Sequence, residues 1–277
     1  MFSLKRMEDI YETAKGKSES PHRHNYYAII WPTKSAAGFH LIDFNKYPIK
    51  ENGIFFIRPG QVHQLSSKEK PFGFVLLFTH EFLQKSNIDN KFIEDLKIFN
   101  SYLYNEPLFI DDIKAKKLLS FIYSIEESNK SLNQFRDEII GSYLKLFLIE
   151  CTSVCDADIV RDESDKSKLI TDEFKKLVEQ KFCKEHKVKF YADKLVISGG
   201  HLNHTIKSEL GLTAKEYIQQ RIILEAKRIL LYSDFNAKET AFELGFIDPH
   251  HFSKFFKNQT NQQIWGSCKR CYRNLDI

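Results

Sequence analysis

Apolar positions recur with two different periods along this chain. Between about residues 22 and 80 they come in short dense runs, at Tyr26–Trp31, Gly38–Phe44, Gly53–Ile57 and Phe72–Phe78. These runs are rich in aromatic and β-branched residues, and Pro59-Gly60 and Pro71 punctuate the later ones. Runs of this length between turn residues predict strands, and several at this spacing predict a small antiparallel barrel or sandwich. From about residue 81 the period becomes helical. The spacing predicts helices over 81–99, from a cap at Asp111/Asp112 through Ser128, and over about 132–153. In the last of these Phe135, Ile139, Tyr143 and Leu146 share a stripe that Phe147 and Ile149 widen. A stripe this wide serves packing on the β region, a dimer seam, or both.

Nearer the C-terminus one apolar pattern occurs twice. Ala192, Leu195, Ile197, Leu202 and Ile206 are spaced 3, 2, 5 and 4 residues apart, and Ala241, Leu244, Phe246, Phe252 and Phe256 are spaced 3, 2, 6 and 4. Each set fits a short helix face, a break and a second helix face, which is a helix-turn-helix unit. An amphipathic helix over 168–186, with Phe174, Leu177 and Val178 inward, precedes the first unit. In that unit Tyr191–Val196 is the supporting helix, Ser198-Gly199-Gly200 the turn and His201–Leu210 the recognition helix, closed by Gly211 as a left-handed cap. Thr213 with Glu216 forms a capping box that starts a connecting helix, whose Ile218, Ile222, Ala226 and Leu230 face inward until about Ser233. Twenty residues at about 1.5 Å each reach about 30 Å, close to the roughly 34 Å between successive major grooves. The second unit opens with Asn236 and Glu239 and ends its first helix at Gly245. Asp248 then caps a helix with Pro249 at its first position, where the missing amide does no harm. Asn203, His204 and Lys207 point outward from one recognition helix, and His250, Ser253, Lys254 and Lys257 from the other.

Charge divides the chain the same way. Residues 168–277 carry 19 Lys and Arg against 13 Asp and Glu, a net of +6, whereas 1–167 carry 22 against 24, a net of −2. A basic helical part joined to a near-neutral β part suits a nucleic-acid reader fused to a module that reads something else. The polar, acidic stretch 154–167 reads as the linker. The expected division is therefore a sensing and dimerisation domain over 1–153, a linker over 154–167 and a DNA-binding domain over 168–277.

The charged start, with Lys5, Arg6, Glu8 and Asp9, does not read as a secretory leader, and no apolar run approaches the roughly 18–20 residues that span a bilayer. A cytoplasmic protein with no membrane partner and reduced thiols is expected. Cys268 and Cys271 form a lone C-x-x-C in a basic tail, and Cys151 and Cys155 lie four apart; with no matched pair of spacings, ordinary thiols are expected and no metal or other cofactor.

The run KRILLYSDFNAKETAFELGFIDPHHFSKFFKNQT (227–260) resembles the signature of the AraC family of bacterial transcription regulators, and SGGHLNHTIKSELGLTAKEYI (198–218) resembles its first unit. The resemblance implies a non-enzymatic regulator of α+β class. It would have an N-terminal sensing domain and an all-α C-terminal domain of two helix-turn-helix units joined by a long helix. Carried onto matching positions, base reading falls to Gly200, Asn203 and His204 in the first recognition helix and to Pro249, His250 and Lys254 in the second. Asn203 suits adenine and Lys254 suits guanine. Ser198, Lys207, Ser253 and Lys257 fall to the phosphates, which position without specifying. The implied partners are promoter double-stranded DNA, RNA polymerase, a small-molecule effector and a second copy of the chain. After Thr260 the family's usual Gly and Pro-containing start to a last helix is replaced by Asn261-Gln262-Gln263-Ile264-Trp265-Gly266, which puts that helix in question.

Pro21-His22-Arg23-His24 and Gly53 through His63 are similar to a cupin barrel. In metal cupins an H-x-H pair, a nearby Glu and a later His hold the ion. His22, His24 and His63 stand at candidate places, but Tyr26, Tyr27, Ala28 and Ile29 supply no carboxylate. These histidines, with Tyr26, Tyr27, Trp31 and Phe39, are expected to line an effector pocket with aromatic walls. The rival readings are a metal-dependent cupin enzyme with an accessory helical domain, and a regulator that works through protein contacts without a ligand.

Overall fold

The computed structural model describes residues 1–99, 106–157 and 166–264. The chain divides into two compact units, Met1–Arg161 and Asp162–Ile277. In the first, β1 (Phe2–Arg6) and the short α1 (Met7–Thr13) lead into β2 (His22–Arg23), β3 (Tyr27–Pro32), β4 (Gly38–Ile42), β5 (Asn45–Pro48), β6 (Gly53–Ile57), β7 (Val62–Ser67) and β8 (Gly73–Phe78). Then come α2 (His80–Lys85), α3 (Asn90–Asp95), β9 (Leu108–Phe109), α4 (Asp112–Asn129) and α5 (Arg136–Ala157). The helix expected over 81–99 is thus two short helices and a 3-10 turn at Lys97–Phe99, broken where Asn87 takes a left-handed φ of 54°.

The strands form two antiparallel sheets, β1-β8-β3-β6-β9 and β2-β7-β4-β5. Among the described residues no ladder joins them, so the expected barrel is an open two-sheet sandwich. The edge strands β2 and β9 are two residues long, too short to carry the hydrogen bonding onward. The five-stranded sheet is buried on both faces. Tyr27, Ile29, Trp31, Ile54, Phe56, Phe74, Leu76 and Phe78 pack into one core that also holds Phe82 and Leu83 of α2, Leu118 and Ile122 of α4 and Ile140, Leu144, Phe147 and Leu148 of α5. Alternate residues Ala28, Ile30, Phe55, Ile57 and Val75 turn toward the second sheet. This double burial is why β3, β6 and β8 read as continuous apolar runs and not as alternating ones.

Asp111 caps α4 by accepting the Lys114 amide at 2.7 Å, as its sequence position predicts. On α5 the inward face is Ile140, Leu144, Phe147, Leu148 and Cys151. Phe135, Leu146 and Ile149 of the expected stripe are exposed instead, so the apolar width of this helix splits between a core face and an outer face.

The second unit is helical: α6 (Lys166–Lys181), α7 (Val188–Lys194), α8 (Gly199–Leu210), α9 (Ala214–Tyr232), α10 (Ala237–Glu243) and α11 (Pro249–Thr260). Its core gathers Phe174 and Val178, Tyr191, Leu202 and Ile206, Ile218, Ile222 and Ala226, and Phe252 and Phe256, all buried. Truncating one such Phe to Ala costs about 3–5 kcal/mol. Among the described residues no helix is long and apolar enough to cross a membrane. Cys268, Cys271, the final segment after Ile264 and most of the expected linker lie outside the described residues.

Candidate nucleic-acid interface and effector cavity

The helical unit builds two exposed helix faces, the candidate reading faces, by the same local rules. Ser198 accepts the His201 amide at 3.1 Å and starts α8, and Gly211, at a φ of 75°, ends it. Leu202, Thr205 and Ile206 anchor the helix inward. Gly200, His201, His204 and Lys207 are exposed. Asn203 is only half-buried, and its Oδ1 is sequestered without a hydrogen-bond partner among the described residues. An adenine pairs with both ends of an asparagine amide. Asn203 therefore has to turn its side chain outward before it can read one.

Asp248 accepts the His250 amide at 2.9 Å and Pro249 takes the first turn of α11. With Phe252 and Phe256 buried, His250, His251, Ser253, Lys254 and Lys257 face solvent, and Pro249 is half-buried. The Ser253 hydroxyl donates to the Pro249 carbonyl at 2.9 Å, so its proton is engaged within the helix. His201 and His251 belong to the outward faces and were not singled out in the sequence, although each sits beside a nominated position. Asn261, with a φ of 57°, caps α11 in the left-handed conformation, where the sequence resemblance implies a glycine. Asparagine is the residue that best tolerates this shape after glycine.

Between the two faces runs α9, 19 residues or about 28 Å long. Both of its ends are defined. The Thr213–Glu216 capping box is formed, with the Thr213 amide 2.7 Å from Glu216 Oε2. The backbone and hydroxyl of Thr213 hold that carboxyl below its ordinary pKa. A second box joins Asn236 and Glu239 at the start of α10. The middle of α9 is fixed by a buried ion cluster. Arg221 Nε lies 2.9 Å from Glu179 of α6, Arg221 Nη1 lies 3.0 Å from Glu225, and Arg228 Nη1 lies 3.1 Å from the same carboxylate. Phe182 lies 3.8 Å beneath the Arg221 guanidinium. Burial pushes the Glu225 carboxyl up, but the two arginines outweigh it and hold the group below the usual carboxylate range. The second unit is tied down as well. His186 Nε2 donates to the Leu244 carbonyl at 2.8 Å, and a side chain on Gly245 (φ 77°) would meet the Cys183 carbonyl oxygen at 2.0 Å.

The β unit contains a cavity of about 260 Å³ between its sheets. Its floor is apolar, with Met7, Ala28, Ile30, Leu65, Val75 and Leu77, and its polar side carries Lys5, Glu19, His22, His24, Tyr26 and His63. Tyr27 and Trp31, expected to line it, do not. Strand alternation turns both toward the helices, where Tyr27 stacks on Phe78 and Trp31 meets Phe74 and Phe147. Phe39 is also absent from the lining and lies instead under Lys46.

Behind the cavity wall stands a chain of imidazoles that includes one residue the sequence did not point to, His40. His24 Nδ1 is 2.7 Å from the Tyr26 carbonyl, so it carries the proton. His24 Nε2 then accepts from His63 Nε2 at 3.0 Å, and His63 Nδ1 accepts from His40 Nε2 at 3.1 Å. His40 Nδ1 ends the chain as a buried acceptor without a partner among the described residues. Burial pushes His63 down to about 2 and His40 to about 3, and it lowers His24 too, so the chain is neutral at pH 7. Of the histidines nominated for a metal, His24 and His63 are thus engaged with each other, while His22 Nδ1 lies 3.0 Å from the Ser20 carbonyl. Among the described residues no group of three His, Cys, Asp or Glu is arranged to hold an ion.

Residues 191–263 match the family described as a helix-turn-helix domain. The chain is 24% identical over 260 residues to the HTH-type transcriptional regulator YfiF of Bacillus subtilis, covering 92% of this chain and 78% of that protein. It is 22% identical over 246 residues to the HTH-type transcriptional activator RhaS of Yersinia pestis, covering 87% and 86%. Among solved structures, ToxT from Vibrio cholerae aligns over 100% of this chain and 98% of its own, at 17% identity and a TM-score of 0.43. These relatives give no support to the cupin-enzyme reading. With the helix-turn-helix match over residues 191–263 and HTH-type regulators as its relatives, the chain is a transcription regulator with a helix-turn-helix DNA-binding domain, similar to the AraC-type proteins.

Proposed function

We propose that the two recognition helices read successive major grooves of promoter DNA, and that a small molecule in the inter-sheet cavity governs the reading. The observation that carries the first half is α9. Its capping box and buried ion cluster fix a helix about 28 Å long between the two outward polar faces, and a second box opens α10 beyond it, a length near one helical turn of DNA. His204, His250 and Lys254 are the base readers, with Gly200, Asn203 and Pro249 beside them, and Asn203 reads only after its amide turns out. Ser198, Lys207, Ser253 and Lys257 contact phosphates. The effector reading rests on the cavity, an apolar floor facing a few convergent polar groups, as small-molecule sites are built.

The remaining partners follow the same logic. The exposed Phe135, just ahead of α5, and Leu146 and Ile149 on it support a homodimer through the β unit, and the activator relative supports contact with RNA polymerase. The working division is 1–153 for sensing and dimerisation, 154–167 as linker and 168–277 for DNA, in a cytoplasmic protein.

Selection of random duplex DNA by the purified chain, at about 50 and 200 mM salt, tests the reading. Two short preferred blocks about one helical turn apart, retained at the higher salt, are expected. Binding without a preferred sequence that vanishes with salt reduces the unit to a basic surface. On the selected duplex, Lys254→Ala relaxes preference at one base pair, whereas Lys257→Ala weakens all sequences alike and lowers the salt slope by about one.

A further inference from the structure

We infer that Val196 and Ile247 contact thymine C5-methyl groups, an apolar component of sequence reading beside the polar faces of α8 and α11. Each stands in the turn of its own helix-turn-helix unit, just ahead of the residue that caps the recognition helix. Val196 is two residues before Ser198, and Ile247 is one before Asp248. Their exposures are 89% and 96%, while among the described residues of this unit no other large apolar side chain exceeds the 61% of Leu169. One exposed apolar residue needs no explanation. Two such residues, one in each turn ahead of a recognition helix, point to a shared surface, with Val196 standing where the second unit has Gly245 and Ile247 standing as the extra residue of that unit's longer turn.

Val196 adds a second, independent argument. Its φ is 56°, a left-handed shape that a β-branched side chain adopts only at a penalty. The same unit meets this shape elsewhere with Gly211, Gly245 and Asn261. The shape itself ends α7, with the Val196 amide on the Asp193 carbonyl at 3.2 Å and the Ile197 amide on the Ala192 carbonyl at 3.0 Å, but the valine side chain that makes it costly is left bare. What the fold does not use is the side chain, and a costly residue kept where glycine or asparagine would serve points to a contact outside the fold. The first turn of α8 beyond it is Gly199-Gly200, and a side chain built on either glycine meets nothing within 4 Å. Groove edges can therefore come close to the Val196 methyls. In the major groove the one apolar feature of a base edge is the thymine methyl. The two valine and isoleucine side chains fit that feature, whereas the polar faces beside them fit donors and acceptors.

The test uses the full-length chain and the duplex it selects from random DNA, made once with thymine and once with deoxyuridine throughout. Deoxyuridine removes the methyl and leaves every hydrogen-bonding atom in place. Wild-type protein is expected to lose affinity on the deoxyuridine duplex. Ile247→Ser and Val196→Asn are each expected to weaken binding to the thymine duplex roughly fourfold, the factor for one buried methyl. Neither variant loses further affinity on the deoxyuridine duplex. Equal binding of the two duplexes by wild-type protein overturns the inference, as do variant losses of the same size on both. These outcomes are separate from failure of the polar base readers, because Lys254→Ala acts on guanine edges that the substitution does not touch.

Discussion

Arg221, Glu179, Glu225 and Arg228 in the helical unit, and His24, His63 and His40 in the β unit, are both chains of buried polar groups, yet they are held in opposite states. The arginines and glutamates stay charged because each faces an opposite charge within about 3 Å. The imidazoles have only one another, so burial decides and keeps them neutral. A charged cluster fixes geometry at all ordinary pH values, and here it fixes α9, the helix that joins the two helix-turn-helix units. A neutral chain loses its stabilising effect as the pH falls, and this one borders the cavity between the sheets.

The largest effect is expected from breaking the charged cluster. Arg221→Ala leaves Glu179 and Glu225 facing each other without the guanidinium between them. Loss of a partner from a buried pair costs about 3–5 kcal/mol. Urea unfolding of the helical unit should show that loss. A change under about 1 kcal/mol would mean that water reaches the cluster and that the comparison between the two units fails. Gly245→Ala comes next, at about 3 kcal/mol. It combines a left-handed φ of 77° with an approach of 2.0 Å to the Cys183 carbonyl, and neither can relax without moving the loop that His186 ties to Leu244.

For the imidazole chain the sign follows from the lowered folded-state pKa values. An unfolded histidine takes up its proton near pH 6.5, whereas His63 and His40 resist until about 2 and about 3. Their contribution to stability is therefore complete above about pH 6.5 and declines as the pH falls below it. Each proton accounts for about 1.4 kcal/mol per pH unit. Urea midpoints of the β unit between pH 7.5 and 5 should fall accordingly. His40→Phe, which keeps a ring against Phe55, should flatten the slope by about one proton, and an unchanged slope would show that His40 is not the buried base.

Much of the helical unit was legible in the sequence because its determinants are local. Thr213 with Glu216, Asn236 with Glu239, Gly211, Asp248 and Pro249 lie within a turn of the features they set, and the apolar 3.6 period is uninterrupted. The β unit hides its two faces. Tyr27 and Ala28 are adjacent and both buried, so nothing in the run YAIIWP says which one faces the cavity, and Tyr27 and Trp31 were placed on the wrong side. His40 carried no local signal either. It meets His63 only because β4 pairs with β7, 23 residues on in sequence. The α5 stripe was visible, but its split into inner and outer faces depends on how α4 packs against it.

The smallest expected effect sets the two turns against each other. Val196 and Gly245 both hold left-handed backbone at the end of a supporting helix, so the units share a shape and differ in the residue that makes it. At Gly245 any side chain collides, and the glycine is structurally required. At Val196 the side chain is exposed, and the backbone alone carries the penalty. Val196→Asn should therefore stabilise the helical unit by about 1 kcal/mol, the left-handed penalty of an ordinary residue less that of asparagine. For about 100 residues that is a rise in Tm of about 4–8 °C. Calorimetry of the full chain would show it on the transition of the helical unit. Without a rise, Val196 is not strained and the case for a reading role rests on exposure alone. A rise together with weaker binding to thymine-containing DNA would show why the first unit keeps a valine where the second has a glycine: what the turn loses in stability it returns as an apolar contact in the groove.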